Sequence, residues 1–559
     1  MKKKLVALAL ILALAVSALS LAACGTDFSK TYNNPSEDKV AKQAMGWCDV
    51  LNAQKNLNMD FSAQDVDGIF GLFLTYDPTT NLPIQKVYNF ESDTVVGTFA
   101  DTETATGTKT VTVTYEIEFN DMFVNDDFHD YFVVKKRTVA VDSADHANDD
   151  DVSEYTLYNA DGTSFATCKE HPDVRIDTIF AGNDYYRLNK EGKFEKAGSR
   201  AKNAIDLPVF DTMIDGKYYY TEDNQLFVYD SSFVLINYYQ FPSFATSANF
   251  FFLNDGNVLL QYMCKVSPYD ADYNYYDGTN NYKVITQIYK IKDGSLKDVE
   301  TVCLFDYLTA HDSEPNGAEL RFVYGSGIEN LASVRYITNT RRDNNRKLVS
   351  IKNDGSIDKV LSENFVAQSE TTPIPLASGK FVVLTKDASV YLVSAKGDII
   401  ADITGCFDFY NYELVNINQK YIVLDGKIYD HDFNELATFD EDKWEVLMMN
   451  NSVVLRSLED AKKFKLFADG KFTEITLSDG QTLVDGTERY FVIRTVVDAV
   501  TTYSYYNENG VKLLDSAVFF DNIKSTRTGK VLCNGSTYDD VSHNFVYTNI
   551  VLYTAVETK

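Results

Sequence analysis

The stretch "KLVSIKNDGSIDKVL", residues 347–361, is an alternating strand, a turn that closes on Gly355 and Ser356, and a second alternating strand. Val349 and Ile351 alternate with Ser350 and Lys352, which is the period of a pleated strand with one apolar face. Glycine accepts the positive φ that a tight connection demands. The same form recurs at "VYLVSAKGDIIADI" (390–403), "KFKLFADGKFTEITL" (463–477) and "TYSYYNENGVKLLDS" (502–516). It recurs again at "EYTLYNADGTSFAT" (154–167), "YYRLNKEGKFEKA" (185–197) and "IYKIKDGSLKDVETV" (288–302). Hairpins repeated along one chain predict an all-β protein.

Between these hairpins lie further strands, among them "PLASGKFVVLT", "NNSVVLRSL", "DGTERYFVIRTV" and "TRTGKVLCNG". Anchoring the second strand of each unit at Gly216, Gly256, Ser333, Gly379, Gln419, Ser452, Arg489 and Gly529 gives intervals of roughly 33 to 46 residues, with one of about 77. That period is close to a four-stranded propeller blade. The expected fold is a β-propeller of about eight four-stranded blades. Seven blades, or stacked β-sandwich domains, would give a similar pattern of evenly spaced strands. With only two tryptophans, Trp47 and Trp444, the chain has no regular Trp-Asp signature, and it matches no propeller subfamily.

The chain opens with Lys2, Lys3 and Lys4 before an apolar run from Leu5 to Leu21, the charged and hydrophobic regions of a signal peptide. The run is short for a membrane-spanning helix. Leu21-Ala22-Ala23-Cys24 resembles the lipobox of bacterial lipoproteins. The resemblance implies cleavage after residue 23, a diacylglyceryl group on Cys24, and a lipid-anchored protein on the extracytoplasmic side of a bacterial membrane. Two or three acyl chains anchor firmly, because each buried CH₂ contributes about 0.8 kcal/mol. The expected organisation is a signal peptide over 1–23 and a lipidated spacer over 24–35. A short helix over 36–56, a small β region or ring-closing strands over 57–150, and the repeat domain over 151–559 follow. The helix expectation rests on Ser36 as N-cap and on apolar residues at helical intervals in "SEDKVAKQAMGWCDVLNAQKN".

The formal net charge is −29, and losing the three signal lysines makes it more negative still. Such a surface repels phosphate backbones, so nucleic acid is not an expected partner. Besides Cys24, the cysteines Cys48, Cys168, Cys264, Cys303, Cys406 and Cys533 are widely spaced and form no CxxC or zinc pattern. The six histidines are equally scattered, and no nucleophile elbow, phosphate loop or dinucleotide fingerprint occurs. No catalytic residue, metal ligand or cofactor is therefore assigned beyond the covalent lipid.

One segment stands out chemically, "SPYDADYNYYDGTNNY" at 267–282. Asp270, Asp272 and Asn274 take the first, third and fifth positions of an EF-hand-like calcium loop, but Tyr275 stands where glycine must turn the chain and Asn281 where a bidentate glutamate is needed. Tyr269, Tyr273, Tyr275 and Tyr276, with Asp270, Asp272, Asn274 and Asp277, instead suit a carbohydrate- or peptide-binding lip, because tyrosine offers large contact area at low entropy cost. A hairpin tip whose tyrosines pack on one another is the plainer reading. The function expected from the sequence is a non-catalytic binding or scaffold module for a glycan, peptide or envelope partner. The alternative is a surface polysaccharide-degrading enzyme using carboxylates at the propeller channel.

Overall fold

The computed structural model describes residues 48–555, except 125–126, 145, 201–206, 215, 223–224, 241–244, 253–256, 266–281, 293–294, 301–316, 323–330, 338–341, 353–356, 366–373, 377, 379, 385–387, 395–398 and 412. The described chain is nearly all β, arranged as a series of small antiparallel sheets. Its helical content is two single 3-10 turns, His146–Asn148 and Thr404–Cys406.

Most sheets are four strands laid side by side in chain order. The 463–477 hairpin shows why. Lys463–Ala468 pairs with Lys471–Thr476 around Asp469 and Gly470, both at positive φ (48° and 77°), the backbone that lets two twisted strands meet through a two-residue turn. Strands Arg342–Ile351 and Ile357–Phe365 pair likewise, with the turn between them outside the described residues. Each of the eight anchors of the repeat lies within, or one to two residues before, a strand beginning at Lys217, Asn257, Leu331, Phe381, Tyr421, Val453, Tyr490 or Val531; the strand at Tyr421 opens its sheet, and each of the others follows a preceding strand of its sheet. The sheet over 421–438 has three strands, and an isolated bridge between Ile417 and Ile422 stands where a further strand would lie.

Residues 62–199 add three sheets that the repeat period did not count: 62–100, 102–168 and 173–199. The middle one has five strands, two of them sixteen residues long, Lys109–Val124 and Asp127–Asp142. Strand Asp150–Asn159 pairs along its whole length with Asp127–Asp142, so the sheet continues across residue 150. Within the acidic run around it, Arg137 takes Asp151 across the strand pair at 2.6 Å.

The expected helix over 36–56 is corrected where it can be seen. Ala53–Asn56 is a strand, paired antiparallel with Asn544–Tyr553 from Ala53↔Tyr553 to Asn56↔Ile550. Local capping and spacing favoured a helix, but the backbone groups of residues 53–56 find partners on an otherwise open sheet edge, and tertiary pairing overrides a weak propensity. The first described strand thereby completes the sheet of the last three, here called the end-joining sheet.

Alternate residues on each strand serve two different inter-sheet spaces. Val453, Leu455 and Phe467 face the 421–438 sheet and pack with Tyr421, Val423 and Ile428. Phe464 and Leu477, from the same sheet, face the 481–516 sheet and meet Ile493. Tyr490, Val492 and Tyr505 turn the other way, toward Phe520, Val531, Cys533 and Leu552 of the end-joining region.

Candidate ligand-binding cleft

A cleft of about 730 Å³ lies where the two ends of the described chain meet. Its wall takes Cys48, the first described residue, Val66 and Asp67 from the end of the first strand of the 62–100 sheet, Gly68 from the turn after it, and Asp121 from the long 109–124 strand. Thr487–Tyr490, from the turn into strand Tyr490–Val497, and Ile523, Ser525, Thr526, Arg527 and Val531, from strand Asn522–Ser525, the turn after it and the start of strand Val531–Asp539, supply the rest.

Arg527 organises one side. Its guanidinium bridges Asp121 and Asp130 and lies 3.9 Å over the Phe128 ring, while its backbone N–H donates to the Gly68 carbonyl at 2.9 Å. Gly68 sits at φ +56°, and a Cβ there would come within 2.3 Å of Asp130 Oδ1, so both conformation and space require glycine. Burial pushes the Asp130 carboxyl up to about 6; Arg527 opposes that shift and Asp121 adds to it. Burial also raises Asp121, against the pull of Arg527.

Arg489 organises the other side. Buried, it donates from Nη1 to the Gly529 carbonyl and from Nη2 to the Asp49 carbonyl at 2.9 Å. Burial draws the guanidinium below its ordinary value and pushes the Cys48 thiol up. Behind it, fully buried Glu508 accepts from the Asn451 backbone N–H at 2.5 Å and from Asn451 Nδ2 at 2.8 Å, and Asn451 Nδ2 also reaches the Cys48 carbonyl at 3.0 Å. Burial raises the Glu508 carboxyl.

The end-joining sheet is further stitched to the 62–100 sheet. Lys530 donates to the Phe90 carbonyl, Thr528 Oγ1 to Glu91 at 2.6 Å, Lys524 to the Gln64 carbonyl at 2.6 Å and Asn522 Nδ2 to the Ala63 carbonyl at 2.9 Å. Asp121, Arg489 and Arg527 of the wall are thus fixed by ion pairs or by backbone carbonyls. Exposed Thr487 and Glu488 stand at the rim.

The residues expected to carry function from the sequence, Tyr269, Asp270, Asp272, Tyr273, Asn274, Tyr275, Tyr276 and Asp277, lie outside the described residues, as does Cys24. Cys48, Cys168, Cys406 and Cys533 are free thiols. His431 is buried between Ser378 Oγ (2.9 Å) and the Asn418 carbonyl (2.8 Å), with burial lowering its pKa, a packing role. Among the described residues no group of three or more His, Cys, Asp or Glu side chains could hold a metal ion, and no helix is long and apolar enough to cross a membrane.

Sequence reasoning reached one cleft residue, Arg489, as a repeat anchor, and also Gly529, whose carbonyl accepts from Arg489, without seeing the role of either. The available signal was "DGTERYFVIRTV" beside "TRTGKVLCNG", where an arginine stands just before an apolar second strand in consecutive units. That their turns face Asp67, Asp121 and Cys48 is a product of long-range pairing.

No family model and no curated protein matches the chain in sequence. Among solved structures, it is similar to a eukaryotic initiation factor at 7% identity and a TM-score of 0.25, covering 82% of this chain and 88% of that one. It is also similar to a rhamnogalacturonan lyase from Bacillus licheniformis at 11% identity and a TM-score of 0.19, covering 83% and 90%. The structural neighbours include β-propellers, such as the propeller domain of the Trilobed protease from Pyrococcus furiosus, at 10% identity and a TM-score of 0.17, covering 75% and 99%.

Proposed function

We propose that this chain is a lipid-anchored, extracytoplasmic binding module of a bacterial envelope, built as a propeller-like ring of serial sheets and acting without catalysis. The observation that carries the reading is the cleft of about 730 Å³, whose arginines and carboxylates are held rigid by internal partners. Fixed donors and acceptors in a concave site suit a polar, hydroxyl- or amide-rich ligand such as a glycan or peptide, because little side-chain entropy is lost on binding. The pairing of the first described strand with the last supports ring closure, and the lipobox at Leu21–Cys24 supports the anchor. Placing the cleft at the seam between the first and last described strands lets binding stabilise the seam itself.

The experiment is an array of bacterial, plant and host glycans and envelope peptides. It is probed with the purified protein, with a Thr487→Ala/Glu488→Ala variant, and with a variant changing Tyr273, Tyr275 and Tyr276 to alanine. Binding lost only in the rim variant assigns the cleft, and binding lost only in the tyrosine variant moves the site to the 267–282 segment. Chain cleavage of a bound glycan overturns the non-catalytic reading. No binding to either class removes glycan and peptide as ligands.

A further inference from the structure

The 102–168 sheet runs past the end of the 62–100 sheet. Asp101 donates its backbone N–H to the carbonyl of Pro83, the first residue of strand Pro83–Asn89, at 2.9 Å. Strand Thr102–Thr106 continues from there, with Lys109–Val124 as its one neighbour among the described strands. All five of its residues are exposed. At the same level the opposite edge of this sheet is Asp150–Glu154, because Ser164–Cys168 pairs only with residues from Tyr155 to Tyr158.

An open edge offers backbone N–H and C=O groups to any passing strand, and proteins blunt such edges with bulges or charge. This chain uses both devices. In nine sheets the last strand meets its neighbour through a register shift, which bends the edge away. The Asp150–Glu154 edge instead carries Asp150, Asp151 and Glu154. Thr102–Thr106 has neither device. Its pairing runs unbroken from Thr102↔Val113 to Thr106↔Lys109, and Glu103 is its single charge. The turn of Gly107 and Thr108, with Gly107 at φ +64°, is a two-residue hairpin loop, so Thr106 and Lys109 form a hydrogen-bonded pair. Alternation then turns the N–H and C=O of Glu103 and Ala105 outward. Asp101, in the same phase, does send its N–H to an outside acceptor, the Pro83 carbonyl.

We infer that Thr102–Thr106 is the edge through which two copies of this chain join, the two strands antiparallel and centred on Thr104, so that one sheet continues into the other. Glu103 of each copy then faces Ala105 of the second copy, and the outward N–H groups of each meet outward carbonyls of the other. Thr104 faces Thr104, and Thr102 faces Thr106, as cross-strand threonine pairs. The sequence makes the match homotypic, because Thr-Glu-Thr-Ala-Thr read backwards only exchanges Glu103 with Ala105. Centring on Glu103 would oppose two carboxylates, and centring on Ala105 would set Glu103 against the turn. The acidic edge at Asp150–Glu154 repels its own copy, which leaves Thr102–Thr106 as the edge of this sheet that can pair with itself. The net charge of −29 opposes approach of two copies until salt screens it. So short a seam is weak in solution, with Kd on the order of 0.1 mM. The contact is separate from the polar cleft and does not rest on its ligand.

The test is sedimentation equilibrium of the purified protein from about 10 to 500 µM, at low salt and at about 0.5 M salt. A monomer–dimer equilibrium that tightens several-fold with salt is expected. Thr104→Lys sets like charges face to face, and Ala105→Pro removes an outward N–H while sparing the pairing to Thr110. Each is expected to weaken the dimer about ten-fold or more while circular dichroism stays unchanged. A cysteine pair reads the register. In a non-hydrogen-bonded antiparallel pair the Cα atoms lie about 4.5 Å apart, within disulfide reach. Thr104→Cys is therefore expected to cross-link through position 104 on oxidation with copper phenanthroline, located by peptide mass spectrometry, whereas Thr106→Cys, which faces Thr102 of the second copy, is not. A monomer at every concentration overturns the inference, as does a dimer that survives both Thr104→Lys and Ala105→Pro. Equal cross-linking at 104 and 106 overturns the register.

Discussion

Two adjacent inter-sheet spaces use opposite faces of one sheet and are filled differently. Toward the 421–438 sheet, Val453, Leu455 and Phe467 close a core in which Phe467 sits 5.2 Å from Tyr421 and 5.0 Å from Phe472, ring centre to ring centre. Toward the 481–516 sheet, Phe464, Leu477 and Ile493 leave a cavity of about 520 Å³. Strand spacing, hairpin chemistry and apolar alternation are alike on the two faces. The closed space takes Tyr421, Phe439, Trp444, Phe467 and Phe472, whereas the one that keeps a cavity is lined by Phe464 and Phe491 among mostly aliphatic side chains. A repeat can thus keep its backbone constant while one space is closed and the next keeps a cavity.

The sharpest way to break this comparison is Phe467→Ala against Phe464→Ala in urea denaturation. Phe467→Ala is expected to cost about 4 kcal/mol, because a new cavity opens in closed packing. Phe464→Ala is expected to cost about half as much, since its surroundings are already open. Equal losses would erase the distinction between filled and open spaces.

Arg527→Ala tests whether the polar seam is as constrained as the filled core. It leaves Asp130 buried without its cation, and the expected loss is about 3 kcal/mol. A loss under 1 kcal/mol, by the same measurement, would mean that the seam is loosely held. Gly68→Ala acts on the same contact from the backbone side. With φ at +56° and Asp130 Oδ1 only 2.3 Å from the added Cβ, about 2 kcal/mol should be lost.

Asp130 also gives the seam a pH signature. Its carboxyl titrates near 6 in the folded chain, against an ordinary 3.8, so the folded state takes up the extra proton in that window. Stability relative to Asp130→Asn should therefore rise as pH falls through 6 toward 4, and the advantage should be absent above 6. Melting temperatures of both proteins across that range check it, and parallel curves would show that Asp130 ionises normally. The smallest expected effect is that of Val454→Phe on stability. Filling part of the cavity should raise it by up to about 1 kcal/mol, whereas the same enlargement at Val453 in the filled space should lower it by about 2 kcal/mol.

Much of the repeat was legible because it is written locally. Glycine at the turn and apolar residues two apart specify a hairpin from a few consecutive positions, as Gly470 does between Lys463–Ala468 and Lys471–Thr476. The helix over 36–56 misled for the opposite reason. A serine cap and spaced apolar residues describe an isolated segment, while Ala53–Asn56 responds to Asn544–Tyr553, almost the whole chain length away. The three sheets over 62–199 escaped the period count because the 102–168 sheet, with two sixteen-residue strands, departs from the spacing of its neighbours.

By itself, the sequence determined that the chain is built of serial hairpin-based sheets, because periodicity and turn chemistry act over neighbouring residues. It also carries the lipobox-like quartet at its start. Only the tertiary structure decided which turns meet. It brought Asp121, Asp130 and Gly68 to Arg527 across some 400 residues of chain, and it left one inter-sheet space open between two that are filled. Contacts of that kind depend on the summed register and volume of many strands, which no local stretch of sequence encodes.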